Sequence, residues 1–244
     1  MKQNILVQTS NIVEAQNSIK RLQARTVTEV VGLGLDYGPP STGKTQFGQI
    51  SAVNNGYIYQ RIVSSDTPKS FITNLYKNIS YSITRRYESV QPRGSTNKIY
   101  KSCVSMLQDH IQVIIIDEIN LGFRHKSIFE AIRDFVDQTF SIFILLGEKD
   151  ALSVLKGMNE HYFDRVNQFV EFKPLNYNDI RLIVEKKMEI PVTDEVINWM
   201  AMRAKGKGRQ LNKMIELIEY YAKANGLEKV TLEDIKKKSK DEDE

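Results

Sequence analysis

Residues 38–45 read Gly38-Pro39-Pro40-Ser41-Thr42-Gly43-Lys44-Thr45, the Gly-x-x-x-x-Gly-Lys-Ser/Thr spacing of a phosphate-binding loop. The chemistry such a loop performs is anion capture. Gly38 and Gly43 let the chain turn tightly, so the loop amides and the positive end of the following helix can face the β- and γ-phosphates. Lys44 is the loop's only side chain with a full positive charge, and the Thr45 hydroxyl can coordinate Mg²⁺. The expected cofactors are therefore ATP and Mg²⁺.

A second group of residues completes this chemistry. Residues 111–120 read Ile-Gln-Val-Ile-Ile-Ile-Asp-Glu-Ile-Asn. The β-branched run from Val113 to Ile116 is that of a strand buried on both faces. Asp117 and Glu118 follow at its carboxyl end. Beside a phosphate loop, Asp117 would hold Mg²⁺ through water, and Glu118 would polarise a water for attack on the γ-phosphate. Without that loop, the same acids would read as a solvated turn.

These residues need a scaffold, and the pattern around them supplies one. Strands are expected near 27–37, 57–63, 111–116, 141–147 and 168–173, and helices near 44–53, 68–83, 96–109, 125–138 and 149–157. Alternation of this kind predicts an α/β fold: a parallel sheet covered on both faces, with helices in the outer layers. Residues 1–25 read as an amphipathic lead-in (Ile12, Ala15, Ile19, Leu22), and 26–175 as the nucleotide-binding domain. After Pro174 only helical patterns remain. Helices over Tyr177–Met188, Asp194–Lys205 and Gln210–Asn225, with a short one from Leu232, predict a helical lid over 176–235. Residues 236–244, four lysines interrupted by Ser239 and then four acids, read as a disordered charged tail.

Composition excludes several classes. The chain has 244 residues, 41% of them hydrophobic, and no apolar run approaches the ~20 residues that span a bilayer. Cys103 is the only cysteine, so there is no internal disulfide, and His110, His125 and His161 lack metal-ligand spacing. No signal-peptide stretch opens the sequence, and a soluble cytoplasmic protein without a membrane partner is expected. The net charge of +4 is unevenly spread. Arg85, Arg86, Arg93, Lys98 and Lys101 stand against only Glu88 in one stretch.

Taken together, the motifs resemble the AAA+ ATPases over essentially the whole chain. Within that superfamily they look like the ATPase regulators of DNA transposition, the TnsC and phage Mu B group. The segments that carry this are Asp66-Thr67-Pro68-Lys69-Ser70-Phe71, Asp117-Glu118-Ile119-Asn120, Phe143-Ile144-Leu145-Leu146-Gly147, Phe163-Asp164-Arg165-Val166 and Gly208-Arg209-Gln210-Leu211. The resemblance implies ATP binding, self-assembly into helical filaments or rings on duplex DNA, and recruitment or activation of a transposase. It also implies a part in target choice, with a target-selection protein as a further partner. Arg165 stands where such proteins place an arginine that reaches a neighbouring subunit's γ-phosphate. Arg209 stands where the lid supplies one in cis. One position departs: Glu148 follows Gly147, where the family has Thr or Asn, and a carboxylate there either points away or slows hydrolysis, while Arg165 in trans would make turnover assembly-dependent.

Sequence-nonspecific phosphate contacts to DNA are expected from Lys69, at a helix start, and from Arg85, Arg86, Arg93, Ser95, Thr96 and Lys98. Two other functional classes compete. A replication initiator or loader of the same superfamily would share the nucleotide site, and a stand-alone P-loop kinase would share only the phosphate loop.

Overall fold

The β-branched and aromatic segments become strands and the amphipathic ones helices, in the alternating order expected. The computed structural model describes residues 2, 5–85, 94–158 and 160–241. In chain order the elements are α1 (Ser10–Gln23), β1 (Leu33–Tyr37), α2 (Lys44–Asn55), β2 (Ile58–Arg61), α3 (Pro68–Thr84), α4 (Thr96–Asp109), β3 (Val113–Asp117), α5 (Ile119–Phe123), α6 (Lys126–Gln138), β4 (Ile142–Gly147), α7 (Ala151–Met158), α8 (Glu160–Phe163), β5 (Gln168–Glu171), α9 (Tyr177–Lys187), α10 (Asp194–Ala204), α11 (Gly208–Ala224) and α12 (Leu232–Asp241).

Two compact units form. The sheet unit comprises Glu14–Gly38 and Lys44–Phe172; the helical unit comprises the segment up to Val13, Pro39–Gly43 and Lys173 onward. The phosphate loop is thus divided, its middle belonging with the helical unit.

In the sheet unit five parallel strands run in the order β2-β3-β4-β1-β5. Their register fixes the site, because it brings the strand ends into line. Tyr37 pairs with Gly147, Leu146 with Asp117, and Asp117 with Arg61. The residue after each strand end therefore emerges at one carboxyl edge, where open α/β sheets bind ligands.

One sheet face (Leu33, Leu35, Ile114, Ile116, Phe143, Leu145) packs on Phe71, Leu75 and Ile79 of α3, Cys103 and Leu107 of α4, and Ile132 and Phe135 of α6. On the opposite face α2 approaches so closely that a Cβ at Gly48 would lie 2.9 Å from Leu146 Cδ1 and 3.1 Å from Tyr59 Cε2. Among the described residues, no helix is long and apolar enough to cross a membrane.

The first strand is shorter than its apolar run predicts. Thr26–Val30 is a turn, closed by Glu29 and Val30 N–H groups on the Thr26 carbonyl. Arg25 stabilises it by donating to the carbonyls of Val30, Leu22 and Phe140. α5 and α8 are short helices with no periodic signature in the sequence.

The helical unit buries Val7, Leu175, Ile180, Ile183, Val196, Met200, Leu211, Ile215, Ile218 and Ala222 in a core of its own. α9 starts at a capping box: Asn176 accepts the Asp179 N–H, and Asp179 accepts the Asn176 N–H. The buried Asp179 carboxylate also accepts from the Ser10 N–H and hydroxyl, 2.7–2.8 Å. That bond fixes the start of α1 and explains why the segment up to Val13 belongs with this unit. α12 runs on to Asp241, into the segment expected to be a charged tail, of which 242–244 lie outside the described residues.

Candidate nucleotide site

The loop backbone shows the strain a phosphate cradle requires. Gly43 has φ of 105°, and Ser41, which is not a glycine, has φ of 67°. A Cβ at Gly38 would lie 2.2 Å from the Phe172 carbonyl oxygen, so only glycine fits where the chain leaves β1. A Cβ at Gly43 would meet nothing within 4 Å. The space beside Gly43 is open, as an anion's approach to the amides demands.

Ser41 in the left-handed region costs about 1 kcal/mol or more and has to be held by its surroundings. The Gly208 N–H donates to the Ser41 carbonyl at 2.8 Å. This bond sets the first residue of α11 against the loop, with the exposed Arg209 next in sequence. Thr42 is 3% exposed, and its hydroxyl donates to the Pro39 carbonyl at 2.9 Å.

Lys44 opens α2 and is half-buried, its Nζ 2.7 Å from the Gly38 carbonyl oxygen. Burial lowers its pKa, while Asp117, Glu148 and Glu118, in that order, work to keep it charged. Those three acids are the ones that the strand register brings to the carboxyl edge. Glu148 therefore lies within electrostatic reach of the phosphate-loop lysine.

Asp117 is 3% exposed. Its carboxylate accepts the Tyr59 hydroxyl at 2.7 Å and the Glu118 N–H at 2.9 Å. Burial, and then the bond to Asp117, raise the Tyr59 pKa well above the ordinary phenol, so Tyr59 stays a proton donor. Glu118 adopts φ of 61°, a second left-handed non-glycine residue at the site. Its Oε1 lies 3.1 Å from Arg61 Nη2. Asn120 ties down the next loop: its Oδ1 accepts the Glu148 N–H at 2.7 Å, and its Nδ2 donates to Asp150 at 2.8 Å.

The sequence alone assigns no role to Tyr59, Arg61 and Asn120. Tyr59 and Arg61 lie on β2, and only the β2–β3 pairing brings them to Asp117. Asn120 follows Asp117 closely, but the Glu148 N–H it binds is 28 residues away.

Nucleotide and Mg²⁺ fit this constellation. The buried Asp117 and the first turn of α2, which carries Thr45, flank Lys44 at one edge. The open side of Gly43 leaves room for a phosphate.

Arg165 is elsewhere. It precedes β5, and Gln168 at the start of β5 pairs with Gly34 near the start of β1. It therefore lies beyond the amino edge of the sheet, and the length of β1 alone separates the two edges by about 13 Å. Its Nε lies 3.0 Å from both Asp137 carboxylate oxygens, and its Nη1 donates to the His161 carbonyl at 3.1 Å.

Among the described residues, the expected DNA contacts do not form one cluster. Lys69 sits exposed in the first turn of α3, after the Thr67–Ser70 capping box. Arg85 caps the other end of that helix, about 24 Å away at 1.5 Å per residue. Thr96 and Lys98 open α4, where Ser95 caps the helix by accepting the Lys98 N–H. A shallow groove of about 440 Å³ runs along this helix, lined by Ser95, Asn97, Lys98, Lys101, Ser102 and Ser105. Arg86 and Arg93 lie outside the described residues.

A parallel sheet of this order, with a phosphate loop after β1, acids after β3 and a helical unit at its carboxyl side in sequence, defines the P-loop NTPase fold of the AAA+ type. Solved structures agree. The chain is similar to Aeropyrum pernix ORC1 in complex with DNA (TM-score 0.63, 16% identity, 96% of this chain and 65% of that one). It is also similar to Aeropyrum pernix ORC2 in its ADPNP–ADP complexes (TM-score 0.66, 16% identity, 97% and 69%). A point variant of Thermotoga maritima RuvB matches with TM-score 0.61 and 15% identity over 94% of this chain and 68% of that one. The chain spans about two thirds of the length of these proteins. No protein-family profile and no curated protein matches it.

Proposed function

We propose that this chain is an ATP-dependent switch that hydrolyses ATP slowly and assembles on duplex DNA. The observation that carries the ATPase reading is the single edge shared by Lys44, Asp117 and Glu118, since Lys44 feels both acids. The loop amides and Lys44 bind the phosphates, and the sequence resemblance adds Arg209 as a cis contact. Thr45 and Asp117 hold Mg²⁺, which when bound neutralises charge on the phosphate oxygens. Glu118 receives the proton of the attacking water. Tyr59 keeps Asp117 oriented, and Glu148 adds negative charge near the γ-phosphate, which slows turnover.

Assembly follows from Arg165. Off the amino edge of its own sheet, it is available to a neighbour's nucleotide and not to its own. A trans arginine makes hydrolysis depend on assembly. DNA binding is supported by the α4 groove, whose lysines and hydroxyls suit backbone phosphates without base readout.

Two finer readings share this machinery. The likeness to ORC1, ORC2 and Cdc6p from Pyrobaculum aerophilum favours an initiator or loader type. The transposition-regulator reading rests on the sequence resemblance. Electron microscopy with duplex DNA and a slowly hydrolysed ATP analogue tests the common part: rings or filaments on DNA support it, and monomers with no DNA affinity overturn it. Co-purification of a transposase, or of replication proteins, chooses between the two.

A further inference from the structure

The N-terminal segment meets the phosphate loop through one side chain. Asn11 is the second residue of α1, and asparagine in a first helical turn ordinarily faces solvent or bonds its own backbone. Here it is 6% exposed and does neither. Its Oδ1 accepts the Lys173 N–H at 3.0 Å, and its Nδ2 donates to the Lys173 carbonyl at 2.8 Å. The amide thus pairs with both backbone groups of one residue, as a neighbouring strand would. Nδ2 also reaches the Thr42 carbonyl at 3.4 Å.

That last contact has a chemical purpose. A phosphate loop works by turning its N–H groups inward, which turns its carbonyls outward, and buried carbonyls need donors. Besides Gly38, whose carbonyl accepts from Lys44 Nζ, the carbonyls of Pro39, Ser41 and Thr42 have donors: the Thr42 hydroxyl, the Gly208 N–H and Asn11, in that order. The first is local and the second comes from α11. Only the third comes from the N-terminal segment, which is itself secured by the Ser10–Asp179 bonds.

We propose that Asn11 is a positioning residue of the nucleotide site, holding the phosphate loop and the entry to the helical unit in register so that the segment preceding it responds to nucleotide. This rests on the nucleotide-binding reading above. A ligand that orders the loop must then also order Asn11 and the residues before it.

The experiment compares the full chain with Asn11→Ala, Asn11→Asp and Lys44→Ala, using a fluorescent ATP analogue, phosphate release and thermal unfolding without nucleotide. Asn11→Ala is expected to weaken analogue binding about tenfold and leave kcat within about twofold. Asn11→Asp, which keeps the acceptor and loses both donors, should bind no better than Asn11→Ala. Hydrogen exchange of the parent should slow at residues 9–13 when the analogue is added. A Kd within twofold of the parent's for Asn11→Ala, while Lys44→Ala has lost binding, overturns this proposal alone. A parent that binds no analogue overturns the nucleotide reading and this proposal with it. If Asn11→Ala does not fold, the exchange measurement decides: unchanged protection at residues 9–13 overturns the proposal.

Discussion

Arg61 Nη2 stands 3.1 Å from Glu118 Oε1, so the carboxylate proposed to take a proton from water is already engaged by a cation on the neighbouring strand. An exposed pair of this kind is worth about 0.2–1 kcal/mol. Its release should free Glu118 Oε1 to engage water. Arg61→Ala is expected to increase phosphate release at saturating ATP, by up to about fivefold on that energy scale. A lower rate would mean that Arg61 orients Glu118 productively.

Glu118→Gln keeps the shape and loses the base. It should retain analogue affinity and cut hydrolysis by roughly 10²–10⁴. Single-turnover phosphate release checks this. A loss below tenfold would transfer the role to Glu148, an exposed acid whose field Lys44 also feels.

Arg165→Ala should leave analogue affinity near the parent's and remove the rise in turnover with protein concentration. Its ion pair with Asp137 lies away from its own nucleotide site. Mixing Arg165→Ala with Glu118→Gln should restore activity, because some mixed interfaces contain one intact site. Titrating one variant into the other measures it, and no recovery at any ratio argues against a trans role.

For DNA, the α4 face predicts a salt effect. Replacing Lys98 and Lys101 with alanine should lower duplex affinity equally for unrelated sequences. The log Kd against log salt slope should flatten by roughly 0.9 for each lysine–phosphate pairing removed. Fluorescence anisotropy at several salt concentrations checks it. Lys69→Ala should remove one such pairing at most, since Lys69 lies at the far end of α3. Parallel salt plots would mean that this face is solvated surface.

Asp36 supplies a stability test. It is 0% exposed in β1, and burial first, then the charge of Glu14, raise its pKa well above 3.8. The folded chain therefore keeps a proton that the unfolded chain gives up. Stability should fall as pH rises above about 4 and level off once pH passes the folded pKa. Asp36→Asn removes this dependence. Urea unfolding should find the two proteins equally pH-sensitive near pH 3, with the variant gaining up to about 1.4 kcal/mol per pH unit above pH 4. Parallel curves from pH 4 to 7 would refute the assignment.

The sequence by itself determined the phosphate loop, the Asp117–Glu118 pair and the alternation of strands and helices. Each is local: a tight turn needs glycines at fixed spacing, and a doubly buried strand needs a continuous apolar run. Boundaries were less legible. Val27, Val30 and Val31 extend the apolar run before β1, but Val30 is held in a turn, its N–H on the Thr26 carbonyl and its own carbonyl accepting from Arg25 Nε. Tertiary structure alone decided the strand order, and with it the site's second half. Tyr59 and Arg61 reach the acids only because β2 pairs with β3 in one register. Arg165 is separated from the phosphate loop because β5 runs parallel to β1 and starts at its amino edge. Asn11 meets Thr42 and Lys173 across 31 and 162 residues of chain. Side-chain type and spacing encode local geometry, whereas register and long-range pairing follow from which buried faces fit together, and no short window of sequence contains that information.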